Sequence, residues 1–213
     1  MDVIDELVGN NRAFADALPS HHLDVRPRRR LAVVTCMDSR LDVFALFGLE
    51  MGDVHVLRNA GGVVTDDVIR SLTISQRKLA TREILLMQHT GCGLGTFTDD
   101  DFSEELANEV GMRPPWRTHA FRDPLVSVRR DMAQLRHDPF LLPGTRVRGF
   151  VVDIVTFDLE EVFVEHGAPS VLRTPAHGTA SVDIVHAGPE EPAGVHGAEF
   201  SAPSQVRSAA AGG

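Results

Sequence analysis

Residues 31–40 read Leu31-Ala32-Val33-Val34-Thr35-Cys36-Met37-Asp38-Ser39-Arg40. The first five are apolar or β-branched and end abruptly in polar, chemically active side chains. A short continuous apolar run of this kind predicts a strand buried on both faces, ending at Cys36. Working outward, Asp53-Val54-His55-Val56-Leu57 predicts a second strand, closed by the loop Arg58-Asn59-Ala60-Gly61-Gly62. Glu83 to Gln88 predicts a third strand ending at His89, Val147 to Val155 a fourth, and Leu159 to Val164 a fifth.

Helical patterns fall between these runs. Ile4, Leu7, Val8, Phe14 and Leu18 recur at helical spacing near the start. Thr65 is placed to cap a helix running to about Ala80, with Asp66 and Asp67 suiting the positive end of its dipole. Thr98, with Asp101 three residues on, marks another helix start, and a further helix is expected from about Pro124 to Arg136, stopped before Pro139. Strands alternating with helices predict an α/β fold with a mainly parallel central sheet flanked by helices. In such sheets ligands bind beyond the carboxyl ends of the strands. Cys36, the loop after Leu57, and His89 all fall at such ends.

The chain has 213 residues and a formal net charge of −9, which argues against a nucleic-acid or anionic-membrane partner. The basic run Arg26-Pro27-Arg28-Arg29-Arg30 reads as a solvated edge. No apolar stretch is long enough for a bilayer. The start, MDVIDELVGNNRAFADAL, is acidic and amphipathic rather than basic and then apolar, so the expected location is cytoplasmic. After Glu165 the composition turns to Ala, Gly, Pro, Ser and His. Residues 1–165 are expected to form the catalytic domain and 166–213 a disordered tail, with Val182 to Val185 a short strand or docking segment. Four histidines in the tail (His166, His177, His186 and His196) are too irregularly spaced to favour metal storage.

Only two cysteines are present. Cys36 opens the motif Cys36-Met37-Asp38-Ser39-Arg40, and Cys92 belongs to His89-Thr90-Gly91-Cys92-Gly93. Two sulfurs and an imidazole are the donors that zinc takes in tetrahedral geometry, and three protein ligands leave the open fourth position of a catalytic site. The His-x-x-Cys spacing lets one tight turn present both side chains, with Gly91 and Gly93 permitting a close backbone. The competing reading is that both are ordinary buried thiols. Asp38 and Arg40 alternate with Cys36, so in an extended segment all three share one side. Arg40 can then hold Asp38 by a bidentate contact, keeping it ionised beside the metal. Away from a metal the same pair would be a surface ion pair of little consequence.

The set Cys-x-Asp-x-Arg, Arg-Asn-Ala-Gly-Gly and His-Thr-x-Cys-Gly, in this order, resembles the β-class carbonic anhydrases, and Arg58 to Gln76 and Thr96 to Phe102 resemble a short bacterial branch of them. The resemblance covers about residues 2 to 164. It implies one zinc per chain on Cys36, His89 and Cys92, and a catalytic dyad of Asp38 and Arg40. Asp38 is then a conditional fourth ligand, able to swing onto the metal and close the site. It also implies a homodimer, or a dimer of dimers, with active sites near the subunit interface. The expected reaction is reversible hydration of carbon dioxide to bicarbonate and a proton by zinc-bound hydroxide. Ala60, Gly61 and Val63 are expected to line a small apolar pocket, and His55 is a candidate proton relay. Two departures are visible. Larger plant-like members carry a substrate-orienting glutamine where this chain reads Arg26-Pro27-Arg28, and Gly91 stands where close relatives can carry an acidic residue. The alternatives are a hydrolase of carbonyl sulfide or carbon disulfide on the same zinc site, and a non-enzymatic zinc-binding protein.

Overall fold

A computed structural model describes residues 2–18 and 23–164, all within the unit Met1–Ala168. The expected tail 166–213, its Val182 to Val185 segment and its four histidines lie outside the described residues. The elements, in order, are α1 (Val3–Ala17), β1 (Leu31–Cys36), α2 (Val43–Phe47), β2 (Val54–Asn59), α3 (Asp66–Leu79), β3 (Glu83–His89), α4 (Asp99–Val110), α5 (Pro124–His137), β4 (Arg146–Val152) and β5 (Leu159–Val162). The sheet order is β2-β1-β3-β4-β5, parallel throughout except for the antiparallel pair β4–β5. The predicted α/β class with a mainly parallel sheet is what the chain adopts.

β1 is central, between β2 and β3, and both its faces are packed, Ala32 and Val34 in one core cluster and Val33 in another, so Ala32, Val33, Val34 and Thr35 are all fully buried. On one face Ala32, Val34, Ile84 and Leu86 pack with Val68 and Leu72 of α3 and with Val128, Met132 and Leu135 of α5. A Cβ at Gly149 of β4 would overlap Met132 and Val128, so glycine there lets α5 close onto the sheet.

The helix starts follow their caps. Thr65 accepts from the Val68 amide and Thr98 from the Asp101 amide, as their spacing predicts. Asp2 and Asp5 form a reciprocal capping box at α1. The five-residue α2, capped by Asp42 and ended by Gly48, is too short to leave a periodic signature. The fourth strand stops at Val152, three residues before the expected Val155. The Asp153 carboxylate accepts from the Val155 and Thr156 amides and turns the chain into β5, which ends at Val162 rather than Val164. The basic run is also more than a solvated edge. Arg28 and Arg29 both pair with the buried Asp53, and Arg28 also reaches Glu50, joining the approaches to β1 and β2.

The strand ends bring the functional segments together. Cys36 is in register with Asn59, and β3 ends alongside at His89. After Asn59, a 3-10 turn over Ala60–Gly62 folds back against β1. Gly62 has φ +62°, and a Cβ there would lie 2.6 Å from the Cys36 amide nitrogen and 2.7 Å from the Thr35 carbonyl carbon. Backbone cannot yield as a side-chain tip can. Gly62→Ala is therefore expected to destabilise the fold by about 1–3 kcal/mol, read as a lower urea midpoint at unchanged m-value.

Candidate metal centre

Three donors converge where β1 and β3 end. The Cys36 and Cys92 sulfurs and an imidazole nitrogen of His89 lie within 4.8 Å of one another, and all three residues are buried. The two sulfurs are 4.0 Å apart. Bonds of about 2.3 Å in tetrahedral geometry would put two thiolates about 3.8 Å apart, so small adjustments suffice to seat an ion between them. His89 Nδ1 lies 2.9 Å from the Thr90 carbonyl oxygen, which can only accept, so that nitrogen carries the proton. Nε2 is left with a lone pair, buried and without a hydrogen-bond partner. An orphaned buried nitrogen facing two sulfurs is what a bound metal ion resolves.

The backbone supports the same reading. Backbone hydrogen bonding from Asp38 and Gly61 favours the ionised Cys36 thiol, and that from Leu94 the ionised Cys92 thiol. N–H groups aimed at sulfur favour the thiolate. The two thiols behave as one pair. The hydrogen bond from Cys92, then contacts from His89 and those amides, pull the Cys36 thiol well down against the opposing effect of burial. The same bond, with burial, pushes the Cys92 thiol up. Burial lowers the His89 pKa, yet the Cys36 sulfur and the Thr90 carbonyl outweigh it and the net shift is upward. The surroundings are thus rich in negative charge and suited to a cation.

Asp38 stands beside the three donors. Its Oδ2 is 3.7 Å from His89 Nε2. Arg40 grips it with two bonds, Nε to Oδ1 at 2.9 Å and a terminal nitrogen to Oδ2 at 2.7 Å, and the Arg40 amide adds a third to Oδ1 at 3.0 Å. These bonds, with the side-chain contact the strongest, hold the carboxyl well below the usual carboxylate range. The pairing arises differently from the extended alternation read in the sequence. β1 stops at Cys36, and the chain turns so that the Asp38 carbonyl accepts from the Leu41 amide. The second terminal hydrogen bond of Arg40 goes to the Gly91 carbonyl at 3.1 Å, tying the two motifs together.

Ala60 and Val63 pack in one apolar cluster with Cys36 and Cys92, and Gly61 is buried among them. The cluster also contains Leu41, Met87, Leu94, Phe121 and Val152, none of which the sequence singled out. Phe121 and Leu94 meet Gly61, where a Cβ would lie 3.1 Å and 2.5 Å from them. Arg58 was quoted only as part of a motif. Its guanidinium donates to the carbonyls of Cys36 at 2.9 Å and Asp38 at 2.6 Å, fixing the backbone that carries both. His55 lies away from this centre: its Nδ1 is 2.8 Å from the Ser75 hydroxyl, and it pairs in register with Ala32, four residues before Cys36.

The family profile described as carbonic anhydrase matches residues 31–123. The β-carbonic anhydrase 1 of Mycobacterium bovis is 47% identical over 162 residues, which cover 76% of this chain and 99% of that one. A carbon disulfide hydrolase of Acidianus sp. is 30% identical over 161 residues, 62% of this chain and 77% of that protein. Among solved structures, the carbonic anhydrase from Streptococcus mutans superposes with a TM-score of 0.73 at 42% identity, covering 76% of this chain and 99% of that one.

Proposed function

We propose that this chain, which belongs to the β-class carbonic anhydrase family, reversibly hydrates carbon dioxide to bicarbonate on a zinc ion held by Cys36, His89 and Cys92. The observation that carries the reading is the unpartnered His89 Nε2, converging with two sulfurs beside a carboxylate that Arg40 clamps. Bound there, zinc acidifies a water molecule and makes hydroxide available near neutral pH.

The remaining work falls to the protein's own groups. Asp38, kept ionised by Arg40, accepts the hydrogen of the attacking oxygen and so aims its lone pair at carbon. Arg40 holds the carboxylate in place and keeps it from turning inward. Carbon dioxide is apolar and would be held by Ala60, Gly61 and Val63 rather than by hydrogen bonds. The Cys36, Leu94 and Phe121 side chains around them limit the entry of further water.

Residues 1–165 are the catalytic unit in this reading, supported by the Mycobacterium relative, whose whole length is spanned by 162 aligned residues. The working form is a homodimer. Its support is α1, on which Val3, Ile4, Leu7, Val8 and Phe14 stay exposed, with no residue of the helix buried. No helix among the described residues is long and apolar enough to cross a membrane, and the cytoplasmic location belongs to the same proposal.

A second reading has a specific observation behind it. The similarity to a carbon disulfide hydrolase raises the sulfur analogues of carbon dioxide as substrates of the same centre. Stopped-flow hydration of carbon dioxide, with carbonyl sulfide and carbon disulfide tested in parallel, separates the two. Carbon dioxide turnover far above that of the analogues is expected. Release of hydrogen sulfide without carbon dioxide hydration would overturn the first reading.

A further inference from the structure

Behind the loop that follows β2 lies a buried polar cluster that the proposed reaction does not use. Asp131, on the sheet-facing side of α5, is 1% exposed. Its Oδ2 accepts from the Val64 amide at 3.0 Å, and its Oδ1 accepts from Arg130 Nε at 2.9 Å. Arg130 also donates to the Ser127 hydroxyl, and so does Gln88, the strand residue just before His89. A buried carboxylate is costly unless each oxygen finds a donor. Here Gln88 Nε2 also stands 3.5 Å from Oδ2, and one of the donors is the backbone of a loop 67 residues away in sequence.

That loop reaches the metal centre. Asn59 clips it at one end, its side chain donating to the Val63 carbonyl at 2.8 Å and accepting from the Val63 amide at 3.0 Å. Asp131 holds the other end at Val64. Between these anchors lie the two left-handed glycines, Gly61 and Gly62, and Gly62 packs so closely on β1 that an added Cβ would lie 2.6 Å from the Cys36 amide nitrogen. Val63, next to Val64, packs in one apolar cluster with Cys36 and Cys92.

We propose that Asp131 is a positioning residue for the metal centre: by accepting the Val64 N–H it fixes the Asn59–Val64 loop, and so holds Gly62 against the Cys36 backbone and Val63 in the pocket wall. The inference rests on the reading of Cys36 as a ligand. Groups that fix a metal ligand's backbone from outside orient the ligand and tune the metal. What Val64 needs is an acceptor, not a charge. A lone substitution to asparagine would bring its NH₂ against either the Val64 amide or the Arg130 guanidinium. The pair R130M/D131N removes that conflict and keeps a carbonyl oxygen for Val64.

The test uses D131A, which removes the acceptor, and R130M/D131N, which retains one without charge. Amide hydrogen exchange is followed by NMR at Gly61 and Val64, and cobalt(II)-loaded protein reports thiolate-to-metal charge-transfer bands. D131A is expected to exchange both amides at least about tenfold faster, move the bands and lose about tenfold in kcat/KM. R130M/D131N is expected to match the wild type in all three. A folded D131A with a fast Val64 amide but unmoved Gly61 exchange and unmoved bands would make Asp131 a structural residue only. Should D131A not fold, R130M/D131L, which keeps volume but offers no acceptor, decides: displaced bands and fast Gly61 exchange uphold the proposal, and wild-type bands overturn it. Absence of charge-transfer bands in the wild type itself would instead indict the ligand assignment.

Discussion

Cys92→Ser should purify almost free of zinc, while the wild type carries about one ion per chain. Cys92 occupies a buried position in a short turn, with its sulfur 4.0 Å from that of Cys36. Serine keeps the shape but offers a neutral hydroxyl in place of a thiolate, to a metal that prefers sulfur in this setting. The loss of affinity should be at least about a hundredfold, the upper end of what even outer partners of metal ligands cost. Metal analysis after dialysis against a weak chelator reads it directly. A second measurement separates lost affinity from lost folding. A ligand that binds only the native state raises its stability in proportion to the logarithm of ligand concentration. Added zinc should therefore raise the wild-type Tm and leave that of Cys92→Ser nearly unmoved. Full zinc content in the variant would return Cys92 to the status of an ordinary buried thiol.

The elements legible in the sequence were those whose signal is local. β1, β2 and β3 are apolar runs closed by polar or glycine-rich breaks, and Cys36 and His89 stand at strand ends in the structure as the pattern predicts. Helix starts at Thr65 and Thr98 were readable because a cap acts within three residues. What stayed hidden depends on residues distant in sequence. Asp131 sits in the charged string Arg129-Arg130-Asp131 of a helix that was legible only in its extent, and the packing of α5 is what turns it inward. Phe121 follows an irregular stretch, and nothing local tells that it closes over Gly61. Arg58 carried a motif but no role until the sheet put it beside the carbonyls of Cys36 and Asp38. The direction of β5 was equally invisible, because the Asp153 turn that reverses the chain lies within residues that continue the apolar run of β4.

Asp38→Asn should retain its zinc and lose about a hundredfold or more in kcat/KM, within the usual range for removing a positioned proton-accepting group. The amide preserves size but presents a donor where one carboxylate oxygen accepts, and it cannot match both arms of the Arg40 fork. The deficit should persist at high pH, where supply of hydroxide no longer limits the rate and only its orientation differs. Arg40→Ala should act through pH instead. In the wild type Arg40 holds the Asp38 pKa well down, so the carboxylate is ionised throughout the working range. A depressed folded-state pKa contributes stability that is complete above the unfolded value of about 3.9 and is lost only as pH falls through the folded one. Between about pH 6 and 9 that contribution is constant, so a pH effect of Arg40→Ala in this range does not come from unfolding. Without Arg40, the Asp38 pKa rises toward its ordinary value. The carboxylate, 3.7 Å from His89 Nε2, would also be free to turn toward a metal held by Cys36, His89 and Cys92. Lower pH would favour the turned-in carboxylate, because less hydroxide would compete with it. Activity should therefore shift to higher pH, with thiolate and imidazole ligation and zinc content unchanged. Wild-type activity in Asp38→Asn would reduce the Asp38–Arg40 pair to a surface ion pair, whereas loss of zinc from either variant would make it part of the scaffold that shapes the site.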